Sequence, residues 1–211
     1  MNAMTKTLST PLGFTQTALE AVSDPATLWA WNSQINHLNA RYAQVLDDAQ
    51  FKEWPHFFID CAHYKIQARE NHERGLPLCI VDLESQGMMK DRIYGITETI
   101  FHAPYYTRHV VSQSLILGVQ SPQNQDNAVQ ACLSALTEMM ATDASKRKAP
   151  TLIVSTSNYC VFRTKPGKTS EVFNVGRYLD HWIETDEGLK IASRHCIYDS
   201  EMILNSLIYP I

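Results

Sequence analysis

Two tight turns near the end of the chain do most to limit what it can fold into. In Lys165-Pro166-Gly167-Lys168, proline fixes φ and glycine takes the positive φ of a type II geometry. Asp186-Glu187-Gly188 closes the next hairpin. The segments these turns join, 152–164, 170–184 and 189–199, read as strands, and no helix-period segment lies between them to supply a parallel crossover. They form an antiparallel meander, which argues against a doubly wound sheet. Further strands are expected at 60–68, 78–85, 91–101 and 108–119.

Ahead of the strands the pattern is helical. Ser23-Asp24-Pro25 is a start signal, a capping side chain followed by proline. Behind it Leu28, Trp31, Ile35, Leu38, Tyr42 and Val45 recur at steps of three and four, predicting one helix to about Leu46. A second helical piece, Asp48 to about Phe58, buries Phe51, Trp54, Phe57 and Phe58, with Pro55 limiting its regularity. Residues 1–22 are Thr- and Ser-rich and read as an unfixed arm. An insertion at about 119–150 holds an amphipathic helix, Asp126–Ala141, with Val129, Cys132, Leu133, Leu136, Met139 and Met140 on its stripe. That helix either packs on its own fold or faces a partner. Helices first and one strongly curved, mainly antiparallel sheet around the long helix make an α+β fold. The domain boundaries are a 1–33 extension and a single 34–211 domain.

Composition narrows the functional classes. The chain has 211 residues, 45% of them hydrophobic, enough for a substantial core. A net charge of −4 argues against a nucleic-acid binder, and Lys146-Arg147-Lys148 is too short a basic run to mean more than a solvated loop. Five scattered cysteines do not form a disulfide framework and read as reduced, buried thiols. With neither a signal-peptide core nor an apolar span, the expected location is cytoplasmic.

The chemistry-bearing motifs are incomplete. Cys61-Ala62-His63, 15 residues and then Cys79-Ile80-Val81-Asp82 approach the Cys-x-His and Cys-x-x-His pairs of a Rieske cluster, but Asp82 stands where the second histidine belongs. Asp60 and His63 begin an Asp-x-x-His-x-x-x-x-His iron site, and the next ligand position is Ala68. Phosphate-cradling loops, the G-x-S-x-G elbow, H-E-x-x-H and Cys-x-x-Cys do not occur. Asp91-Arg92 and Arg108-His109 are charged pairs at expected strand openings, suited to ion pairs or subunit contacts.

Trp54-Pro55-His56-Phe57-Phe58, Cys61-Ala62-His63-Tyr64, Arg69-Glu70-Asn71 and Gly75-Leu76-Pro77 occur in that order. Met88-Met89-Lys90-Asp91-Arg92-Ile93, Thr107-Arg108-His109-Val110 and Val175-Gly176-Arg177-Tyr178-Leu179-Asp180 follow. The series ends at Tyr198-Asp199-Ser200 and Leu207-Ile208-Tyr209-Pro210-Ile211. Together they resemble the small (β) subunit of Rieske-type aromatic-ring-hydroxylating dioxygenases, over about residues 34–118 and 151–211. The Trp-Pro-x-Phe-Phe and Tyr-Pro-aliphatic variants are most similar to the branch acting on aromatic carboxylic acids such as salicylate, anthranilate or terephthalate. The resemblance implies a cystatin-like cone, shaped like ketosteroid isomerase and nuclear transport factors. It implies a mainly structural subunit, three copies of which carry three α subunits in an α3β3 hexamer with β–β contacts. The α subunit would hold the Rieske [2Fe–2S] cluster and a mononuclear iron, fed by a separate NADH-dependent reductase. No catalytic, cofactor or metal residue is expected here; Asp91, Arg92, Arg108, His109 and Tyr209 are the candidate subunit-interface residues.

Two rival classes use the same scaffold. One is a stand-alone isomerase or lyase, with Tyr64, His63, Asp91, His109 or Asp180 lining an apolar pocket. The other is a binding module for a small aromatic acid.

Overall fold

The structure, a computed structural model, describes residues 19–120, 133, 151–202 and 207–211. Helix α1 (Pro25–Asp47) opens where the sequence signals it: the Asp24 carboxylate accepts from the Ala26 and Thr27 amides at 3.3 and 3.0 Å. Its stripe reaches the core through Ile35, Tyr42, Val45 and Leu46. After a 3-10 turn over Phe51–Phe57 come β1 (Phe58–Ala68), α2 (Arg69–Glu73), β2 (Val81–Leu83) and α3 (Gln86–Tyr94). The remaining strands are β3 (Tyr106–Val111), β4 (Leu115–Gln120), β5 (Leu152–Thr164), β6 (Glu171–Thr185) and β7 (Gly188–Tyr198). The sheet order is β2-β1-β7-β6-β5-β3, with β4 also paired to β5. β5, β6 and β7 form the expected meander, while β1 and β7 pair in parallel.

Three expected strands differ. Residues 91–99 are helical: Ser85 caps α3 by accepting the Met88 amide at 3.2 Å, and Met89, Ile93 and Ile96 fall on one buried face. The chain continues as a π-type turn over Gly95–Thr99, where the Thr97 and Thr99 hydroxyls bond back to the Ile93 and Gly95 carbonyls. The Asp91-Arg92 pair therefore sits on a helix and not at a strand opening. The 108–119 strand is two strands, broken at Ser112–Ser114 because α1 amides claim Ser114: Asn36 Oδ1 accepts its N–H at 2.8 Å, and Asn32 donates to its carbonyl at 3.0 Å. The 78–85 strand shrinks to β2, since the Gln67 side chain takes the carbonyls of Leu76 and Leu78.

The described end of the N-terminal arm is fixed. Glu20 and Val119 exchange backbone hydrogen bonds of 2.8 and 2.9 Å. That approach needs Gly118, at φ +152°, where a Cβ would lie 2.7 Å from the Glu20 carbonyl oxygen. Residues 1–18 and most of the predicted Asp126–Ala141 helix lie outside the described residues; Leu133 is helical and fully buried in the main core.

Gly176 is the other glycine whose missing side chain matters. Opposite Tyr198 in the β6–β7 ladder, a Cβ here would press on the Ile197 carbonyl oxygen and lie 2.8 Å from the Tyr198 Cα, both backbone atoms. Gly176→Ala should therefore cost about 3 kcal/mol, the upper range of overpacking. Urea unfolding measures it, and a loss under about 1 kcal/mol would contradict the packing.

Candidate functional site

The inner face of the sheet and α1 enclose the space in which a cone-shaped α+β fold would hold a ligand. Register brings Asp180 of β6 opposite Arg194 of β7, and both are fully buried. The guanidinium donates to both carboxylate oxygens, at 2.9 and 2.8 Å, and to Asn39 Oδ1 from α1. It is sandwiched between the Tyr42 and Tyr178 rings, 4.3 Å from each centroid. Burial pushes the Asp180 carboxyl above its ordinary value even against the pull of Arg194. Burial would lower Arg194, but Asp180 holds it above its usual range. With both oxygens engaged, Asp180 can take a substrate proton only by giving up its partner. Around this pair, Trp182 donates to Ser155 Oγ at 2.9 Å and Tyr159 to Asn174 Oδ1 at 2.8 Å.

Among the described residues, the tail of the chain also occupies this interior. The Ile211 carbonyl accepts from the Tyr42 and Tyr64 hydroxyls at 3.0 and 2.9 Å, and the Ile211 N–H donates back to Tyr64 at 3.0 Å. Burial raises the phenols of Tyr42, Tyr64 and Tyr178 well above their ordinary value and pushes the Cys196 thiol up to about 12. None of these groups is poised to give or take a proton near neutrality.

The five candidate interface residues fall in two places. Arg92 donates to the Leu207 and Ile208 carbonyls at 3.3 and 3.0 Å, and Tyr209 packs on Phe51, Tyr105 and His102, so these two meet where the tail enters the cone. Asp91, next to Arg92, points outward and is exposed. Arg108 and His109 lie on β3 beside a cleft of about 480 Å³ against α1. There the buried Asp47 carboxylate accepts from His109 Nδ1 at 2.6 Å and from the His109 backbone amide at 3.0 Å. Arg108, 71% exposed, approaches Asp47 at 3.7 Å, and His109 Nε2 is buried without a hydrogen-bond partner. Arg194, Asn39, Tyr42 and Asp47 carry these arrangements and were not singled out from sequence as site residues.

The motif that approaches a Rieske site does not fit the cluster. His63 Nε2 is hydrogen-bonded to Asp82 across β1 and β2, and the Cys79 thiol donates to the other Asp82 oxygen at 3.6 Å. Burial raises that thiol above its ordinary value, against the thiolate a cluster needs. Cys61 is disulfide-bonded, which corrects the expectation of reduced thiols at that residue; Cys79, Cys160 and Cys196 are free. Among the described residues, no three His, Cys, Asp or Glu side chains are grouped to hold a metal ion. Anaerobic reconstitution of the purified chain with iron and sulfide should leave substoichiometric iron and no Rieske absorption; one cluster per chain would overturn this.

A curved mixed sheet closed over a long helix, with a plugged interior, is one variant of a widespread scaffold. The chain belongs to the SnoaL-like domain family, whose model matches residues 31–195. Within it, the chain groups with the small (β) subunits of aromatic-ring-hydroxylating dioxygenases. It is 30% identical over 178 residues to the terephthalate 1,2-dioxygenase terminal oxygenase component subunit beta 1 of a Comamonas species, covering 84% of this chain and 97% of the relative. The anthranilate 1,2-dioxygenase small subunit of Burkholderia cepacia is 26% identical over 178 residues, covering 84% of this chain and 92% of that one. A crystal structure named for the beta subunit of such a dioxygenase from Novosphingobium aromaticivorans superposes with a TM-score of 0.68 at 25% identity, covering 88% of this chain and 99% of that one.

Proposed function

We propose that this chain is the structural, non-catalytic β subunit of the terminal oxygenase component of a Rieske non-haem iron oxygenase acting on an aromatic carboxylic acid. The observation that carries it is the filled cone. The space a substrate would need holds the Arg194–Asp180 pair and Ile211, so chemistry is left to a partner. The acid substrate class follows relatives named for anthranilate and terephthalate. In this reading the partner is an α subunit in an α3β3 hexamer with β–β contacts. That subunit carries the Rieske [2Fe–2S] cluster and the mononuclear iron, a separate reductase supplies electrons, and the complex works in the cytoplasm. Large apolar side chains left in solvent support a covered surface: Trp29 is 77% exposed, Tyr106 71% and Phe101 fully so.

Arg108 and His109 are proposed contact residues for that assembly. Arg108→Ala is the clean test, because Arg108 itself is exposed and only approaches Asp47 at 3.7 Å, a contact worth at most about 1 kcal/mol to the isolated chain, and Asp47 keeps its bonds to His109. The variant should melt like wild type yet assemble less with a co-expressed α subunit. Oxygen uptake with an aromatic acid should fall in proportion to the fraction assembled, as light scattering reports it. A fully assembled variant with activity down a hundredfold would make the subunit catalytic. A chain that turns over a substrate alone would support the isomerase or lyase reading.

A further inference from the structure

Residues 207–211 enter the cone as a ligand enters a receptor, and most of what holds them reads main chain. Arg92 of α3 donates to the carbonyls of Leu207 and Ile208. The Tyr105 hydroxyl accepts the Tyr209 amide at 3.4 Å. Tyr64 of β1 both accepts from the Ile211 N–H and donates to the Ile211 carbonyl, while Tyr42 of α1 adds a second donor there. Two side-chain sockets complete the site. The Tyr209 ring sits 4.4 to 5.2 Å from the Tyr105, Phe51 and His102 rings, and Ile211 is 1% exposed among core residues. The segment belongs to no strand, so its departure breaks no ladder. Behind Tyr42, Arg194 Nη1 is buried with no hydrogen-bond partner.

We propose that the cone is a peptide-binding site, filled in cis by residues 207–211, and that this segment detaches while the rest of the fold stays intact. Its ligand class is a short peptide with an aromatic residue two positions before an aliphatic one. Recognition through backbone groups supplies the affinity, and the ring cage and the Ile211 socket supply the selectivity. Peptide binding is a property of the chain alone and needs no partner subunit.

The test uses the full chain. Ile211→Asp places a carboxylate in the apolar socket and should expel the segment, lowering the melting temperature. Adding the free peptide Leu-Ile-Tyr-Pro-Ile should then raise it saturably by several degrees, and a scrambled peptide should not. No rise at millimolar peptide would overturn the proposal. Should Ile211→Asp fail to fold, hydrogen exchange of the wild-type chain decides. An Ile211 amide exchanging at least about tenfold faster than the slowest β6 amides, by sub-global opening, supports a detachable segment. Exchange at the rate of those core amides refutes it.

Discussion

Asp180→Ala is expected to destabilise the isolated chain by about 3–5 kcal/mol, the cost of stranding one charge of a buried pair. Arg194 would then sit between Tyr42 and Tyr178 with Asn39 as its remaining acceptor. An exposed pair such as Arg69–Glu73, with both side chains more than half exposed, sets the contrast at under about 1 kcal/mol. The double variant Asp180→Leu with Arg194→Met should recover most of the loss, because buried pairs replaced by apolar groups of similar size are often neutral. Recovery should be incomplete, since Asn39 Oδ1 loses its donor. Urea midpoints of the single and double variants measure this. A single variant as stable as wild type would mean that the pair is not desolvated in solution.

What the sequence made legible follows from how local each determinant is. The β5–β7 meander rests on turns within a few residues, and α1 on one cap and one stripe, so both could be read directly. The 91–101 error has a local cause as well. Ile93, Ile96, Ile100 and the threonines suggest a strand, but the Ser85 cap and the Met89, Ile93, Ile96 spacing favour a helix. The parallel β1–β7 pairing, joining residues more than a hundred positions apart, leaves no local mark.

The Arg194–Asp180 pair shows why the site was harder than the fold. Counting back from Thr185 opposite Gly188 would set Asp180 against Ser193. A bulge between His181 and Trp182 shifts the ladder by one residue and puts Arg194 there instead. Asp180 was legible as an interior candidate, and its partner was hidden by a single-residue irregularity. Arg92 was read as a subunit-interface residue, but within this chain its targets are tail carbonyls, which carry no sequence signature. The Cys61–Asp82 motif lacks the fourth ligand of a cluster, and nothing in it announces the His63–Asp82 contact.

Acidification should unfold the isolated chain well before its carboxylates are exhausted. Burial lowers His181 to about 3, and burial first, with electrostatic repulsion from neighbouring side chains adding to it, lowers His195 to about 2. In the unfolded chain both return to about 6.5. Above that value both states are neutral and the two groups contribute nothing to the pH dependence. Below it the unfolded chain takes up protons that the folded chain refuses, so stability falls as pH falls, down to the folded values. At pH 4.5 this comes to about 3 kcal/mol per histidine, several kcal/mol together, a large share of the whole stability of many domains. Urea midpoints of the isolated chain should therefore be flat from pH 8 to 7 and drop steeply toward pH 4.5. His195→Gln should remove about half of that slope whatever it does to stability at pH 8. A wild-type midpoint unchanged between pH 7.5 and 4.5 would show that the two imidazoles are hydrated and titrate normally.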